Sequence, residues 1–156
     1  MEIRIENVPK MRVAFVRHIG PYNECETAWE KLCGWAAPKG LFTPDAKILG
    51  LAHDNPEETP PEKIRYDACV TVGDDVQPEG EVGVQEIRGG DYAIYLHKGP
   101  YEKLAGVYEE LYTRAIPASG REFAFDPCFE VYVNDPRSTP PEELMTEIYV
   151  PLKPKA

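Results

Sequence analysis

The sequence has no stretch approaching 18 consecutive apolar residues, so no membrane-spanning helix is expected. Its opening residues, MEIRIENVPK, contain no apolar signal core, and a soluble cytoplasmic protein is the expectation. Basic residues are scarce: 17 Lys and Arg stand against 27 Asp and Glu, for a formal net charge of −10. Adhesion to a phosphate backbone requires concentrated Lys and Arg, so direct nucleic-acid binding is not expected. The acidic balance suits either plain solubility or a preference for cationic ligands. Cysteine is confined to Cys25, Cys33, Cys69 and Cys128, none of them in a C-x-x-C pair, and only three histidines occur. These numbers argue against a structural zinc site and for buried reduced thiols. The P-loop, H-E-x-x-H and G-x-S-x-G patterns are all missing, and no cofactor or metal is expected.

What is present is an internal repeat. Arg17-His18-Ile19-Gly20-Pro21-Tyr22 matches Leu96-His97-Lys98-Gly99-Pro100-Tyr101, with His, Gly, Pro and Tyr in common. Asn55-Pro56-Glu57-Glu58-Thr59-Pro60-Pro61-Glu62 matches Asp135-Pro136-Arg137-Ser138-Thr139-Pro140-Pro141-Glu142 at a separation one residue longer. Two matches in the same order and nearly the same spacing imply a tandem duplication.

Each copy has one pattern. A short strand (Ile3 to Ile5; Val82 to Ile87) leads through a turn to a second strand (Arg12 to His18; Tyr92 to His97). Gly-Pro-Tyr then stops the strand and opens a helix. Tyr22, Cys25, Trp29, Leu32 and Ala36 recur at helical spacing, as do Tyr101, Leu104, Tyr108, Leu111 and Ala115. Pro38 with Gly40, and Pro117 with Gly120, are read as the helix stops. Two further strands close each copy: Ile48 to His53 with Arg65 to Val72, and Cys128 to Asn134 with Thr146 to Leu152. Each pair is joined by a Pro-rich loop unable to extend a sheet. The expected fold is therefore α+β, a duplicated strand–helix–strand–strand module with antiparallel sheets, helices on one face and a cleft between the modules. The sequence boundaries are 1–77 and 78–156.

Strand alternation sorts the side chains. Ile148, Val150 and Leu152 share one face, as do Ala68, Val70 and Val72, and both sets are expected beneath the helices. Glu147 and Asp67 then fall at equivalent positions on the opposite face. On the neighbouring strand Phe129, Val131 and Val133 form the apolar set and Glu130 and Tyr132 the other, where the first copy has only Gly50 and Ala52. This inequality predicts a cavity lined by the second copy. A carboxylate among tyrosines attracts a cationic or hydrogen-bonding ligand on which flat rings stack, or serves as a general acid or base. Glu147 with Tyr132, Tyr149 and Tyr95 is the leading constellation, and Glu130, Trp35 and Tyr112 are further candidates. His18 and His97 read as structural strand-end residues, and no acid partner for His53 is evident.

The run from Asp54 to Asp67, the segment Pro127-Cys128-Phe129-Glu130-Val131-Tyr132-Val133-Asn134 and the closing Glu147-Ile148-Tyr149-Val150-Pro151-Leu152 resemble the bacterial GyrI-like family across nearly the whole chain. The resemblance implies a duplicated module with a pseudo-twofold axis and a cleft for bulky cationic or aromatic compounds. It implies a cleft role for the C-terminal glutamate, here Glu147, and aromatic walls including Tyr132. It further implies a stand-alone binding protein with toxin protection or DNA gyrase modulation as its role and gyrase as a possible partner. The alternative within that resemblance is a hydrolase that opens cyclopropane-bearing DNA-alkylating toxins, with Glu147 activating water.

Overall fold

The computed structural model describes residues 2–21, 24–54 and 58–154. Tyr22 and Asn55-Pro56-Glu57, which belong to the repeated motifs, lie outside the described residues.

The chain divides into two compact units, one of Lys10–Arg88 and one of Met1–Pro9 with Gly89–Ala156. The first contains β2 (Met11–Ile19), α1 (Glu26–Ala36), β3 (Ile48–Ala52), β4 (Arg65–Thr71) and β5 (Gly83–Ile87). Its antiparallel sheet runs β5-β2-β4-β3. The second contains β1 (Arg4–Val8), β6 (Gly90–Lys98), α2 (Leu104–Glu110), a π-helical turn (Leu111–Ala115), α3 (Ile116–Ala118), β7 (Cys128–Tyr132) and β8 (Met145–Pro151). Its antiparallel sheet runs β1-β6-β8-β7. The α+β duplication is thus present, with a helical layer on one face of each four-stranded sheet.

The compact units do not follow the boundaries at 1–77 and 78–156. The opening strand of each copy pairs with the second strand of the other: β1 with β6, and β5 with β2. Hydrophobic periodicity identifies a strand but carries no information about which of two similar partners accepts it.

Each helix covers its sheet through the stripe the sequence predicts. Leu32 and Ala36 of α1 are buried with Ala68 and Val70 of β4, and Cys25 and Trp29 pack against that cluster. In the other unit Leu104, Leu111 and Ile116 are buried with Ile148, Val150 and Leu152. Full burial of such a side chain contributes about 1.5–3 kcal/mol, enough for a few of them to hold a short helix that is marginal in isolation. Pro117 corrects the reading of it as a helix stop, because it lies inside α3, in the first turn after the π-helical segment. The π-helical turn before it carries the Ile116 amide to the Leu111 carbonyl, and the helix ends one residue beyond the proline.

The repeated His-x-Gly-Pro motif is a turn lock. Nε2 of His18 lies 2.9 Å from the Pro21 carbonyl oxygen, and Nε2 of His97 lies 3.3 Å from that of Pro100. The amides of Gly20 and Gly99 donate to the carbonyls of Ile64 and Leu144, each at 2.8 Å. Both glycines have φ of +141°, a conformation L side chains rarely adopt, and a Cβ on Gly99 would sit 3.4 Å from the His97 ring. Strain of this kind costs about 1–3 kcal/mol. Gly99→Ala should therefore lower unfolding free energy by that amount in urea denaturation, while Gly106→Ala, on the open side of α2, should be neutral or stabilising.

Candidate functional site

The seven candidate residues do not gather at one place. Strand register separates them. β7 pairs with β8 so that Val131 stands opposite Glu147, Phe129 opposite Tyr149, Glu130 opposite Ile148 and Tyr132 opposite Thr146. On the other side of β8, Tyr95 of β6 stands opposite Ile148, and Leu96 opposite Glu147. Ile148 belongs to the cluster beneath α2. Glu130, Tyr132 and Tyr95 therefore lie on the helix-covered face, whereas Glu147 and Tyr149 lie on the other. This corrects the constellation of Glu147 with Tyr132 and Tyr95. The physical reason is that β7 is apolar toward the side away from the helix, so its apolar set does not mark the helix side. Phe129 is fully buried there, stacked on Tyr149 with centroids 4.5 Å apart and edge-on to Tyr92 at 5.3 Å.

Glu147 and Tyr149 are brought together, but with a cation already in place. Nη2 of Arg4, on β1, donates to Glu147 Oε2 at 2.7 Å, and the same guanidinium also bonds Glu6. Burial, and then the Glu147 charge, push the Tyr149 hydroxyl pKa upward. A depression of about 480 Å³ lies beside Arg4, lined also by Ile3, Tyr95 and Leu96, and does not include Glu130.

The equivalent acid of the other copy, Asp67, is 0 % exposed. Arg17 donates to both of its oxygens, Nε to Oδ1 at 2.8 Å and Nη2 to Oδ2 at 3.1 Å. The Gln85 amide donates to Oδ2 at 2.9 Å, and His53 Nε2 lies 2.7 Å from the same oxygen. Asp67 is the acid partner of His53 that sequence reasoning missed, because the two residues meet only through the pairing of β3 with β4. Burial alone would raise the Asp67 pKa, but the bonds from His53, Arg17 and Gln85 outweigh it and hold the value at about 2. Trp35 is engaged in this unit as well. Its Nε1–H donates to Glu79 at 3.2 Å, and the Lys39 ammonium lies 5.3 Å from the ring centroid.

The remaining candidates converge on the helix side of β7. Tyr108 of α2 hydrogen-bonds the Glu130 carboxyl group. The Cys128 thiol is bonded by Tyr112, in the π-helical turn, and by Tyr108. Tyr108 and Tyr112 stack with centroids 6.4 Å apart, and Tyr112 meets Phe123 edge-on at 4.9 Å. Tyr101 meets Tyr132 edge-on at 5.7 Å. Burial raises the Glu130 pKa to about 7, a rise only partly opposed by the Tyr108 bond. Burial likewise lifts the Cys128 thiol to about 11, so this thiol is no nucleophile at neutral pH. Burial and the nearby Glu130 carboxylate raise the Tyr101 hydroxyl. Among the described residues no Lys, Arg or His forms an ion pair with Glu130. Tyr101, Tyr108, Tyr112, Cys128, Glu130 and Tyr132 are each only partly buried, so this polar cluster is reachable from solvent.

Sequence analysis named Glu130, Tyr132 and Tyr112 but did not join Tyr101, Tyr108 or Cys128 to them. Tyr101 and Tyr108 were assigned to the covering stripe of the helix. The available signal was that the second helix carries the Tyr108 and Tyr112 hydroxyls where the first has Trp29 and Cys33.

The duplicated architecture places a partly buried carboxylate, Glu130, beside Tyr108, and comparison with known proteins gives the class to which this fold belongs. The chain belongs to the GyrI-like small molecule binding domain family, whose model matches residues 1–153. It is 31% identical to a DNA gyrase inhibitor of Escherichia coli (strain K12), over 99% of each chain. The EcmrR C-terminal domain superposes with a TM-score of 0.77 at 24% identity, covering 97% of both chains. SAV2435 bound to tetraphenylphosphonium superposes with a TM-score of 0.67 at 19% identity, covering 98% of this chain and 94% of that one. Among the described residues no helix is long and apolar enough to cross a membrane.

Asp67 makes acid sensitivity a direct test of these electrostatics. Its pKa is depressed from 3.8 to about 2, so its stabilising contribution is fully present above about pH 4 and is lost as pH falls through 2. Asp67→Asn should destabilise the protein by about 1–3 kcal/mol at neutral pH, because a buried amide cannot accept all the hydrogen bonds the carboxylate takes from Arg17, Gln85 and His53. The variant should also show a shallower loss of stability between pH 4 and pH 2, read by denaturation at a series of pH values.

Proposed function

We propose that the protein binds bulky, flat or multi-ring organic cations beneath α2, with Glu130 as the anionic anchor. The observation that carries this reading is the contrast between three acids. Asp67 has Arg17 and Glu147 has Arg4, while Glu130 has the Tyr108 hydroxyl and, among the described residues, no cation in an ion pair. A carboxylate in low-dielectric surroundings without a counter-ion strongly favours an incoming positive charge, and aromatic faces nearby add cation–π attraction and stacking. A structural neighbour solved with tetraphenylphosphonium supports the ligand class.

Glu130 must lose its proton to pair with a cation. Affinity for tetraphenylphosphonium, measured by calorimetry, should rise between pH 6 and pH 8 and level off above the carboxyl pKa of about 7. Glu130→Gln should weaken binding at pH 8 by tenfold or more and remove the pH dependence. Glu147→Gln, which disturbs an acid already paired with Arg4, should have a much smaller effect. Equal losses in the two variants would return the anchor to Glu147.

DNA gyrase modulation is the cellular role we attach to this binding, on the strength of the gyrase inhibitor relative. A supercoiling assay with purified gyrase, with and without the cation, measures it, and no change in either condition removes this part of the reading. A second reading, hydrolytic opening of a strained ring, draws support from a carboxyl group of pKa about 7 hydrogen-bonded to Tyr108, the range a general acid needs at neutral pH. Appearance of a ring-opened, hydrated product from a cyclopropane-bearing alkylator with wild type but not with Glu130→Gln would establish turnover. Stoichiometric binding without product would leave the binding role alone.

A further inference from the structure

Beside Glu130 stands a polar group that the folded chain does not use. Thr146 is 0 % exposed, and its Oγ1 is buried without a hydrogen-bond partner among the described residues. It lies on the helix side of β8, in the same alternating set as Ile148 and Val150. Its cross-strand neighbours are Tyr132 on β7 and His97 on β6. His97 aims Nε2 at the Pro100 carbonyl, and the Tyr132 ring packs on Tyr101. Leaving a hydroxyl buried and unpaired costs about 1–3 kcal/mol, and valine has nearly the same shape without that cost. A threonine at such a place is more reasonable if something outside the chain completes its hydrogen bond.

The sheet also fixes where that hydroxyl stands relative to the anchor. Glu130 faces Ile148 and Tyr132 faces Thr146, so Glu130 and Thr146 are diagonal neighbours on one sheet face. Such pairs are about 7–8 Å apart, roughly the width of one or two fused aromatic rings. Tyr132, the cross-strand partner of Thr146 on β7, is only partly buried, and a planar ligand that turns its ring aside would reach both groups.

We propose that Thr146 is a ligand-contacting residue of the Glu130 site, and that it selects planar cations bearing an N–H or O–H donor a ring's width from the positive centre. The Oγ1 accepts from that donor while Glu130 pairs with the charge. The selected class is protonated amino-substituted polycyclic heteroaromatics rather than quaternary or fully alkylated ions. This inference rests on the Glu130 reading above, and its test separates the two.

Two dyes share one acridinium ring and differ only at the amino groups: proflavine carries N–H donors, and acridine orange has them all replaced by methyl groups. Fluorescence titration of the full chain with each dye should give a proflavine affinity that falls about 5–10-fold in Thr146→Val, in line with one neutral hydrogen bond. Acridine orange should bind the variant within twofold of wild type, and Thr146→Ser, which keeps the hydroxyl, should retain most of the proflavine affinity. The unliganded Thr146→Val variant should melt at the same temperature as wild type or higher, since an unpaired hydroxyl has been removed. Equal behaviour of the two dyes in Thr146→Val, whether both unchanged or both weakened alike, would overturn the Thr146 assignment. Unchanged binding of both dyes in Glu130→Gln would instead overturn the anchor, and failure of both dyes to bind wild type would overturn both.

Discussion

The antiparallel register of β7 on β8 decides which carboxylate lies under a helix. Side chains alternate faces along a strand, so a shift of one residue would carry Glu130 and Tyr132 to the far side of the sheet and bring Phe129 and Val131 beneath α2. The register is held by the rings on the other face. Phe129, Tyr149 and Tyr92 pack there as one stacked and edge-on group, and Phe129 and Tyr92 are fully buried. Aromatic pairs of this geometry add about 0.5–1.5 kcal/mol each beyond the area they bury. The cost of moving them holds Glu130 against Tyr108.

The duplication shows its divergence on the helix-covered face. In the Lys10–Arg88 unit Gly50 and Ala52 stand opposite Ala68 and Tyr66, on the side that α1 covers. The corresponding places on β7 hold Glu130 and Tyr132, and the helix above them carries tyrosines. One unit is closed by small side chains under an apolar helix, the other is built from groups that titrate and hydrogen-bond. The equivalent acids on the other face have each been given an arginine, from β2 in one unit and from β1 in the other. Charge on that face is neutralised within the fold, and charge on the helix side of β7 is not.

Much of this was legible in the sequence. The repeated His-Gly-Pro-Tyr and Thr-Pro-Pro-Glu motifs located the duplication, and helical spacing identified Leu32, Ala36, Leu104 and Leu111 as covering residues. The lopsided pair of Gly50 and Ala52 against Glu130 and Tyr132 was also readable, and the two pairs do stand at matching places on β3 and β7. What alternation could not supply was its phase. The apolar set of β7 was assumed to face the helix, an assumption valid for β8 and for β4 but not for β7, whose buried Phe129 and Val131 lie on the face away from it. The Asp67–His53 contact and the Arg4–Glu147 ion pair were out of reach for a related reason. The first depends on the register of β3 on β4, and the second joins strands distant in sequence, which only the pairing order brings together.

The exchange of opening strands has a consequence for how the chain is made. β1 is synthesised well before its partner β6, which begins at Gly90. Residues 10–88 contain every strand of their own sheet and can close it while the remainder is still being synthesised. β1 must wait as an unpaired, polar segment until the second copy emerges. Its exposed residues, Arg4, Glu6 and Asn7 among them, suit that interval, because a charged strand without a partner resists adding to the wrong edge. The pairing that brings Arg4 to Glu147 is thus a late, long-range closure that waits for the strands of the second copy.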